Sequence, residues 1–411
     1  MITGHDIVCF APGPWDDIWR NRHQIMSRLA RANRVLWVEP WPNLWPTLRR
    51  LRKEPLLQSL TSLRGPRLLQ VDANLHVYRP AAWAPRSSSQ PLRAGTQAVY
   101  MALLRRVLRR LGFRSPILWL FLPDMEIFLG RFDEKLSIYH VVDEYSGYSG
   151  VSEAWRPVVQ RLEEHLARRV DLVFVVSAAL LERQRAFNQR SFLVPNAVDY
   201  AAFAAAQAQG ETPAQMVGIP PPIAGYVGAI NDKVDLGLLA RTARKCPDVS
   251  LVLVGPVTVT DEEGQGALAE LQAMPQVHLL GRKSAVDVPR YIAACDVCLL
   301  PYRVNAWTLS IDSLKLYEYF ACGKPVVATD VPAAHRVAAG ADGATAEGVI
   351  RIAMSEREFV EGLRFALRGN SPVLQEARRR IAAQNTWDQR MDTLSAAIES
   401  RLRERELQDP G

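Results

Sequence analysis

The sequence has no apolar run long enough to cross a membrane. Its longest runs, such as ILWLF before Leu122, have the length of a strand, whereas a spanning helix needs about 18–20 apolar residues. The first residues, MITGHDIVCFAPG, contain neither a basic segment nor a long apolar one, which argues against a secretory signal. We therefore expect a cytoplasmic protein.

Cysteine is scarce, and its spacing gives no disulfide framework. The five cysteines are Cys9, Cys246, Cys295, Cys298 and Cys322. Cys295 and Cys298 form a CxxC without a second pair of ligands, so buried reduced thiols are favoured over a zinc or redox site. The sequence also lacks any Asp-x-Asp, which disfavours a metal ion clamping a diphosphate.

The composition is that of a folded protein with more than one domain. The chain has 411 residues, 48% apolar and 23% charged, and exceeds the length that one core usually serves. The net charge of +7 is concentrated in two basic segments, Arg49–Arg67 and Arg105–Arg110. Either segment suits an anionic membrane surface or is an ordinary solvated face. Nucleic acid is not expected as a partner, because no recognised binding motif accompanies the charge.

Strand-like apolar runs alternate with helical patterns in two series. The first runs from DIVCFAP (6–12) to SFLVPNAVD (191–199), and the second from IAGYVGAI to GVIRIAM. This alternation is typical of doubly wound parallel sheets. Small residues and three successive prolines separate the series. We predict an α/β fold with two Rossmann-like domains, 1–205 and 223–385, joined by a linker at 206–222.

The segment SIDSLKLYEYFACGKPVVATDVP (310–332) has the features of an anion site. Asp312 or Ser310 can cap the helix that follows, and the dipole of that helix favours an anion at its start. Lys315 adds a positive charge. Glu318 lies on the same helix face, and its carboxylate suits the two hydroxyls of a ribose. The alternative is a solvated Lys315–Glu318 surface pair.

This segment resembles the donor-binding segment of retaining GT-B glycosyltransferases of glycosyltransferase family 4, in the branch of the teichuronic acid glycosyltransferases. PNAVD (195–199), GYVGAI (225–230) and VHLLGR (277–282) resemble further family segments. The resemblance implies two facing domains, with a C-terminal helix at 386–405 joined to the first. It also implies that Glu318 binds the donor ribose, and that Ser313, Leu314 and Gly228 belong to the donor site.

The sequence departs from the family pattern at three positions. Ser310 stands where the family has a glutamate that holds the donor sugar, and Ala229 stands where it has an arginine. Lys233 is one residue short of the expected lysine position, and the alternative for it is a solvated lysine. Arg282 and Lys283 are candidates to replace the missing charge.

Three residues are predicted to contribute to the site from the first domain. Gly13 lies in a turn after the first strand, similar to a family loop that approaches the donor and the acceptor. His23 lies one turn into the next helix, in a pattern similar to this branch, and the alternative is a structural histidine. Asp143 follows a strand, where the resemblance places acceptor-side catalytic residues; a loop carboxylate is the alternative.

The resemblance implies transfer of a sugar, with retention, from a nucleotide-diphosphate sugar to a hydroxyl acceptor in bacterial cell-surface polysaccharide or glycolipid synthesis. No cofactor or metal is expected. The acceptor is expected to be a glycan or a lipid-linked glycan, reached from the inner face of the plasma membrane. A non-hydrolysing sugar-nucleotide epimerase and a non-catalytic GT-B partner protein are the alternative functions.

Overall fold

The computed structural model describes residues 1–42, 67–81, 86, 90–147, 152–340 and 346–408, and for 90–93 and 346–347 the backbone only. The first of the two predicted basic segments, Arg49–Arg67, therefore lies outside the described residues except for Arg67. No helix in the described ranges combines the length and the apolar character that a membrane span requires.

The first half of the chain builds an eight-stranded sheet in the order β3-β4-β2-β1-β5-β6-β7-β8. Its strands are β1 (Asp6–Phe10), β2 (Arg34–Val38), β3 (Arg67–Asp72), β4 (Leu75–Arg79), β5 (Ile117–Leu120), β6 (Leu136–Val141), β7 (Leu172–Val175) and β8 (Ser191–Leu193). Every neighbouring pair is parallel except β3 and β4. Runs such as DIVCF and LVFV are buried along their whole length, as parallel strands covered on both faces require.

The second half builds a six-stranded parallel sheet in the order β13-β11-β9-β14-β15-β16. The strands of this half are β9 (Ile223–Val227), β10 (Ile230–Asn231), β11 (Ser250–Val254), β12 (Val257–Thr258), β13 (Val277–Gly281), β14 (Val297–Leu300), β15 (Val326–Thr329) and β16 (Ile350–Ala353). The short strands β10 and β12 pair separately. The predicted α/β fold with two parallel sheets is confirmed.

Helices connect the strands and cover both sheets. They are α1 (Asn21–Leu29), α2 (Gln90–Leu111), α3 (Arg156–Arg169), α4 (Ala178–Arg185), α5 (Tyr200–Gln209), α6 (Leu236–Lys245), α7 (Glu262–Gln272), α8 (Val288–Ala293), α9 (Ala306–Leu309), α10 (Leu314–Ala321), α11 (Pro332–Ala338), α12 (Ala346–Val349), α13 (Glu356–Arg368), α14 (Pro372–Ala383) and α15 (Trp387–Gln408). Short 3-10 helices lie at Pro123–Phe128, Tyr145–Gly147 and Ala214–Met216.

The last helix packs on the first sheet. Trp387, Met391, Leu394 and Ile398 of α15 are buried in the same core as residues of β1, β2 and α1. The backbone N–H of Ile2 donates to Ser395 Oγ at 3.0 Å. The chain thus crosses from the second core, which holds Ile381 of α14, back to the first.

Helix α5 differs from the predicted domain limits. The sequence placed residues up to 205 in the first domain and 206–222 in a linker, but Phe203 belongs to the core of the second domain, and Tyr200 packs against that core. The alanine-rich sequence YAAFAAAQAQ favours a helix. The helix ends at Gly210, whose φ of +65° is typical of a helix C-terminus.

Candidate functional site

A cavity of about 650 Å³ lies between the two domains, where strands of both sheets end. Val142 and Asp143 follow β6, Gly228 follows β9, and Gly255 follows β11, and all four line the cavity. Crevices beyond the carboxyl ends of parallel strands are the usual ligand sites of such sheets. The first turn of α1 and the start of α10 complete the wall.

Helix α10 begins at the cavity without a side-chain cap. Its N-cap residue is Ser313, whose side chain makes no capping hydrogen bond, and Ser313, Leu314 and Lys315 all line the cavity. Since the first N–H groups of a helix have no partner within the helix, this end can bind an anion. The predicted caps, Asp312 and Ser310, are therefore wrong.

Asp312 instead links the two domains through hydrogen bonds with Asn196. Its carboxylate accepts the backbone N–H of Asn196 at 2.6 Å and forms an ion pair with Arg336. The side-chain amide of Asn196 donates to the Asp312 carbonyl oxygen, also at 2.6 Å. Burial raises the pKa of Asp312 to about 6, although Arg336 and the Asn196 N–H oppose the shift. Asp312 lines the cavity, but its carboxylate already has these partners.

Ser310 lies off the cavity wall. It is the C-cap of the short helix α9, its backbone N–H donates to the Trp307 carbonyl oxygen at 3.2 Å, and its side chain is buried. The structure therefore does not bring this residue to the position predicted for a donor-sugar contact. Because α9 turns the chain before Asp312, position 310 faces the protein interior.

Two lysines converge on Tyr302 in the cavity. Lys315 Nζ lies 3.4 Å from the Tyr302 hydroxyl, and Lys233 Nζ lies 5.4 Å from the centre of its ring. Burial acts to raise the pKa of Tyr302, but the two ammonium groups lower it to about 8. Burial, together with Lys315, lowers the pKa of Lys233, while Tyr302 and Asp143 oppose that shift. The predicted Lys233 and Lys315 are thus brought together.

Gly228 allows Lys315 to enter the cavity. A Cβ atom at Gly228 would lie 2.0 Å from Lys315 Cε, and its φ of +146° is a conformation that side chains rarely adopt. The glycine therefore serves a close approach as well as a turn. Ala229 lies beside it on the wall and supplies no charge.

Glu318 lines the cavity one helical turn beyond the start of α10. Within the described residues its half-buried carboxylate accepts no hydrogen bond. Burial raises its pKa, and the charge of Lys315 opposes that shift. An accessible carboxylate without a hydrogen-bond donor is a suitable acceptor for hydroxyl groups of a ligand.

Arg282 reaches across the cavity mouth to the first domain. Its Nη2 donates to the Asp16 carbonyl oxygen at 2.7 Å. Lys283, the other predicted substitute, donates to the Leu280 carbonyl oxygen. Both line the cavity, but Arg282 also links the two domains.

His23 is not in the cavity. It is fully buried, with its ring 5.0 Å from that of Trp19 and 4.8 Å from that of Trp37. Burial lowers the pKa of His23 to about 3, so the imidazole is neutral, and its Nδ1 accepts the backbone N–H of Arg20 at 3.1 Å. The structure favours the structural alternative for His23, which orders the turn before α1.

Gly13 also lies off the wall, while Asp143 is on it. A Cβ at Gly13 would lie 3.2 Å from Arg22 Nη2, so the glycine leaves room for that guanidinium. Asp143 lines the cavity close enough to Lys233 to raise its pKa. The neighbouring Glu144 is paired with Arg183.

Several cavity residues were missed in the sequence. Trp19, Arg20, Arg22, Asn196 and Tyr302 all line the cavity. The sequence RNRH could have pointed to Arg20 and Arg22. It places one arginine directly before α1 and the other in its first turn. In the parts of the chain that the structure describes, no group of three or more His, Cys, Asp or Glu could hold a metal ion.

Comparison with known proteins bears on the second domain and on the fold. Residues 221–368 match the family described as Glycosyl transferases group 1. The chain is 27% identical over 229 residues to the putative teichuronic acid biosynthesis glycosyltransferase TuaH of Bacillus subtilis. The aligned region covers 54% of this chain and 57% of TuaH. The chain thus spans about 57% of the length of this relative.

Solved structures are similar along nearly the whole chain. Sucrose-phosphate synthase from Thermosynechococcus elongatus is 16% identical with a TM-score of 0.68, over 99% of this chain and 100% of that one. Anabaena HepE in complex with UDP-glucose is 15% identical with a TM-score of 0.66, over 97% of this chain and 100% of that one. The GT-B fold implied by the sequence resemblance is confirmed, and residues 221–368 are similar to the glycosyl transferases group 1 family.

Proposed function

We propose that the protein is a retaining glycosyltransferase. It moves a sugar from a nucleotide-diphosphate sugar to a hydroxyl acceptor in bacterial cell-surface polysaccharide or glycolipid synthesis. The main observation is that one cavity brings together Lys315, Lys233 and the uncapped start of α10 with Glu318, whose carboxylate accepts no hydrogen bond from any described residue. HepE, which shares the fold, binds UDP-glucose, and TuaH is named for teichuronic acid synthesis. Both support the proposal.

The positively charged part of the cavity, around Lys315, Lys233 and the start of α10, suits a nucleotide diphosphate as the leaving group. Negative charge grows on the diphosphate as its bond to the anomeric carbon breaks, and preorganised donors that meet this charge lower the barrier. Lys315, Lys233 and the N–H groups at the start of α10 are such donors. Because side chains and backbone supply this charge, we propose that transfer needs no metal ion.

Asp143 faces these groups from the first domain. In the proposed reaction, its carboxylate accepts a hydrogen bond from the acceptor hydroxyl and orients that hydroxyl toward the anomeric carbon. In a front-face reaction the hydroxyl attacks on the side that the diphosphate leaves, and the departing phosphate oxygen takes the proton. The Arg282–Asp16 hydrogen bond links the two domains beside the cavity, and closure of the domains around the substrates would limit hydrolysis of the donor by water.

Helix α2 supports a membrane-associated acceptor at the cytoplasmic face. Its exposed face carries Arg105, Arg106, Arg109 and Arg110, with apolar residues such as Leu104 and Leu108 buried beneath. Such a face attracts anionic lipids. Its arginines would bring the cavity close to a lipid-linked glycan.

Release of UDP from UDP-glucose, with and without EDTA, tests the proposal. We expect UDP to be released in both conditions. In Lys315→Ala the release should be at least about tenfold slower, because the variant loses one charge-assisted hydrogen bond to the leaving diphosphate. Lys245→Ala, outside the cavity, is the matched control. UDP binding without release, with any acceptor, would instead favour a non-catalytic partner, and formation of an epimeric sugar nucleotide without acceptor would favour an epimerase.

A further inference from the structure

Arg22 is a buried arginine on the cavity wall whose guanidinium donates no hydrogen bond within the described residues. It is 6% exposed, and its Nε has no hydrogen-bond partner among the residues that the structure describes. The nearest acid is Asp17, whose Oδ2 lies 4.0 Å from Arg22 Nη2. A guanidinium has five N–H donors, and a buried charge without partners is costly to the folded state.

Other buried arginines of this protein are well supplied with acceptors. Arg28, on the same helix and also 6% exposed, contacts Asp388 at 3.0 Å and Asp199 at 3.4 Å. Arg378 is 1% exposed and donates to three backbone carbonyl oxygens, including that of Val349 at 2.8 Å. Burial alone therefore does not explain why Arg22 lacks acceptors.

The surroundings of Arg22 add positive charge and leave it space. Arg20 also lines the cavity, and its Nε is buried without a hydrogen-bond partner in the described part of the chain. The absence of a side chain at Gly13 leaves room for the Arg22 guanidinium. Burial, with a contribution from Arg20, lowers the pKa of Arg22 to about 10, although Tyr145 and Asp17 oppose this. The group is therefore charged at neutral pH and faces an open cavity.

We propose that Arg22, assisted by Arg20, binds a carboxylate or phosphate group carried by a sugar substrate, separate from the nucleotide diphosphate. This inference rests on the proposed function, in which Lys315 and Lys233 of the other domain meet the diphosphate. A guanidinium can bind either anion through two parallel hydrogen bonds. The anion belongs to the acceptor or to the transferred sugar, and the experiment distinguishes the two.

The test compares anionic and neutral sugars by titration calorimetry. In saturating UDP, we expect glucuronate or glucose 6-phosphate to bind at least about tenfold more tightly than glucose, the effect of one charged hydrogen-bond pair. Arg22→Gln should remove this preference and leave UDP affinity unchanged. The matched control is Arg31→Gln, which removes the same charge from a site that is 65% exposed.

A second arm compares UDP-glucuronate with UDP-glucose in the absence of free sugar. A preference for UDP-glucuronate that Arg22→Gln removes would assign the anion to the transferred sugar. A preference seen only among free sugars would assign it to the acceptor. No preference in either arm, or an equal preference in Arg22→Gln and the wild type, would overturn the inference.

Thermal stability separates a binding role from a structural one. Within the described residues Arg22 donates no side-chain hydrogen bond and has only the long contact with Asp17 at 4.0 Å. Because removal of a buried charge with so little compensation should not destabilise the fold, we expect the Tm of ligand-free Arg22→Gln to equal or exceed that of the wild type. A Tm several degrees lower would overturn the inference. If Arg22→Gln does not fold, Arg20→Gln should reduce the same preference. Failure of the wild type to bind UDP would contradict the proposed function, while anionic sugars titrated without UDP still test Arg22.

Discussion

Replacing Glu318 with alanine should weaken UDP binding without harming the fold. A hydrogen bond to a charged group contributes about 1.5–3 kcal/mol, and a carboxylate can accept from both ribose hydroxyls. Desolvation of the half-buried carboxylate offsets part of this gain, so we expect a loss of about 1–3 kcal/mol, or about 5–150-fold in Kd.

Two features of the site make this change selective. Burial raises the pKa of Glu318, and the carboxylate accepts no hydrogen bond in the described part of the chain. The folded state therefore loses no polar partner in Glu318→Ala, and Tm should not fall. Glu361→Ala, at an exposed glutamate of α13, is the matched control and should leave Kd unchanged.

A double-mutant cycle with 2′-deoxy-UDP and 3′-deoxy-UDP, measured by calorimetry, tests the ribose assignment directly. The wild type should bind at least one deoxy analogue several-fold more weakly than UDP, while Glu318→Ala should bind them alike. An unchanged Kd for UDP in Glu318→Ala, or equal discrimination by both proteins, would refute the reasoning.

Three further changes test other parts of the structure. Burial raises the pKa of Glu163 from 4.5 to about 7, so the stability this group contributes is complete below pH 4.5 and is lost as pH rises through 7. Glu163→Gln should lack this loss, about 3 kcal/mol, in urea unfolding at pH 5 and pH 8. Asp312→Ala leaves Arg336 without its acid and should lower the free energy of unfolding by about 3 kcal/mol. Gly228→Ala should displace Lys315 and weaken UDP binding by about tenfold or more.

For each of these three predictions, one outcome would contradict the reasoning. Equal pH dependence in Glu163→Gln and the wild type would show that the carboxyl group titrates normally. An unchanged urea midpoint in Asp312→Ala would remove its role in joining the domains. Normal UDP affinity in Gly228→Ala would show that the Lys315 position does not matter for the nucleotide.

The two sheets and the donor helix could be predicted because the sequence encodes them locally. Continuous apolar runs at strand spacing mark buried parallel strands, and the run from Leu314 to Glu318 combines a helical face with two charges. The predicted Lys315, Glu318, Gly228, Lys233 and Arg282 all line one cavity.

The sequence-based predictions failed at residues whose role depends on contacts with residues distant in sequence. Asp312 has the right residue type for a cap, but its partners Asn196 and Arg336 come from other elements. His23 sits at helical spacing beside the cavity, yet three tryptophans enclose it. Arg22 was missed because what distinguishes it is a lack of acceptors, which only the folded arrangement can reveal.

The position of α15 also determines when the first domain can become complete. Trp387 and Met391 pack in the core on one face of the first sheet, and the backbone N–H of Ile2 donates a hydrogen bond to Ser395, 393 positions away. During synthesis, the core on this face of the first sheet cannot close until α15 has been made, after almost the entire chain. The domain whose synthesis begins first is therefore also the one whose core is completed last.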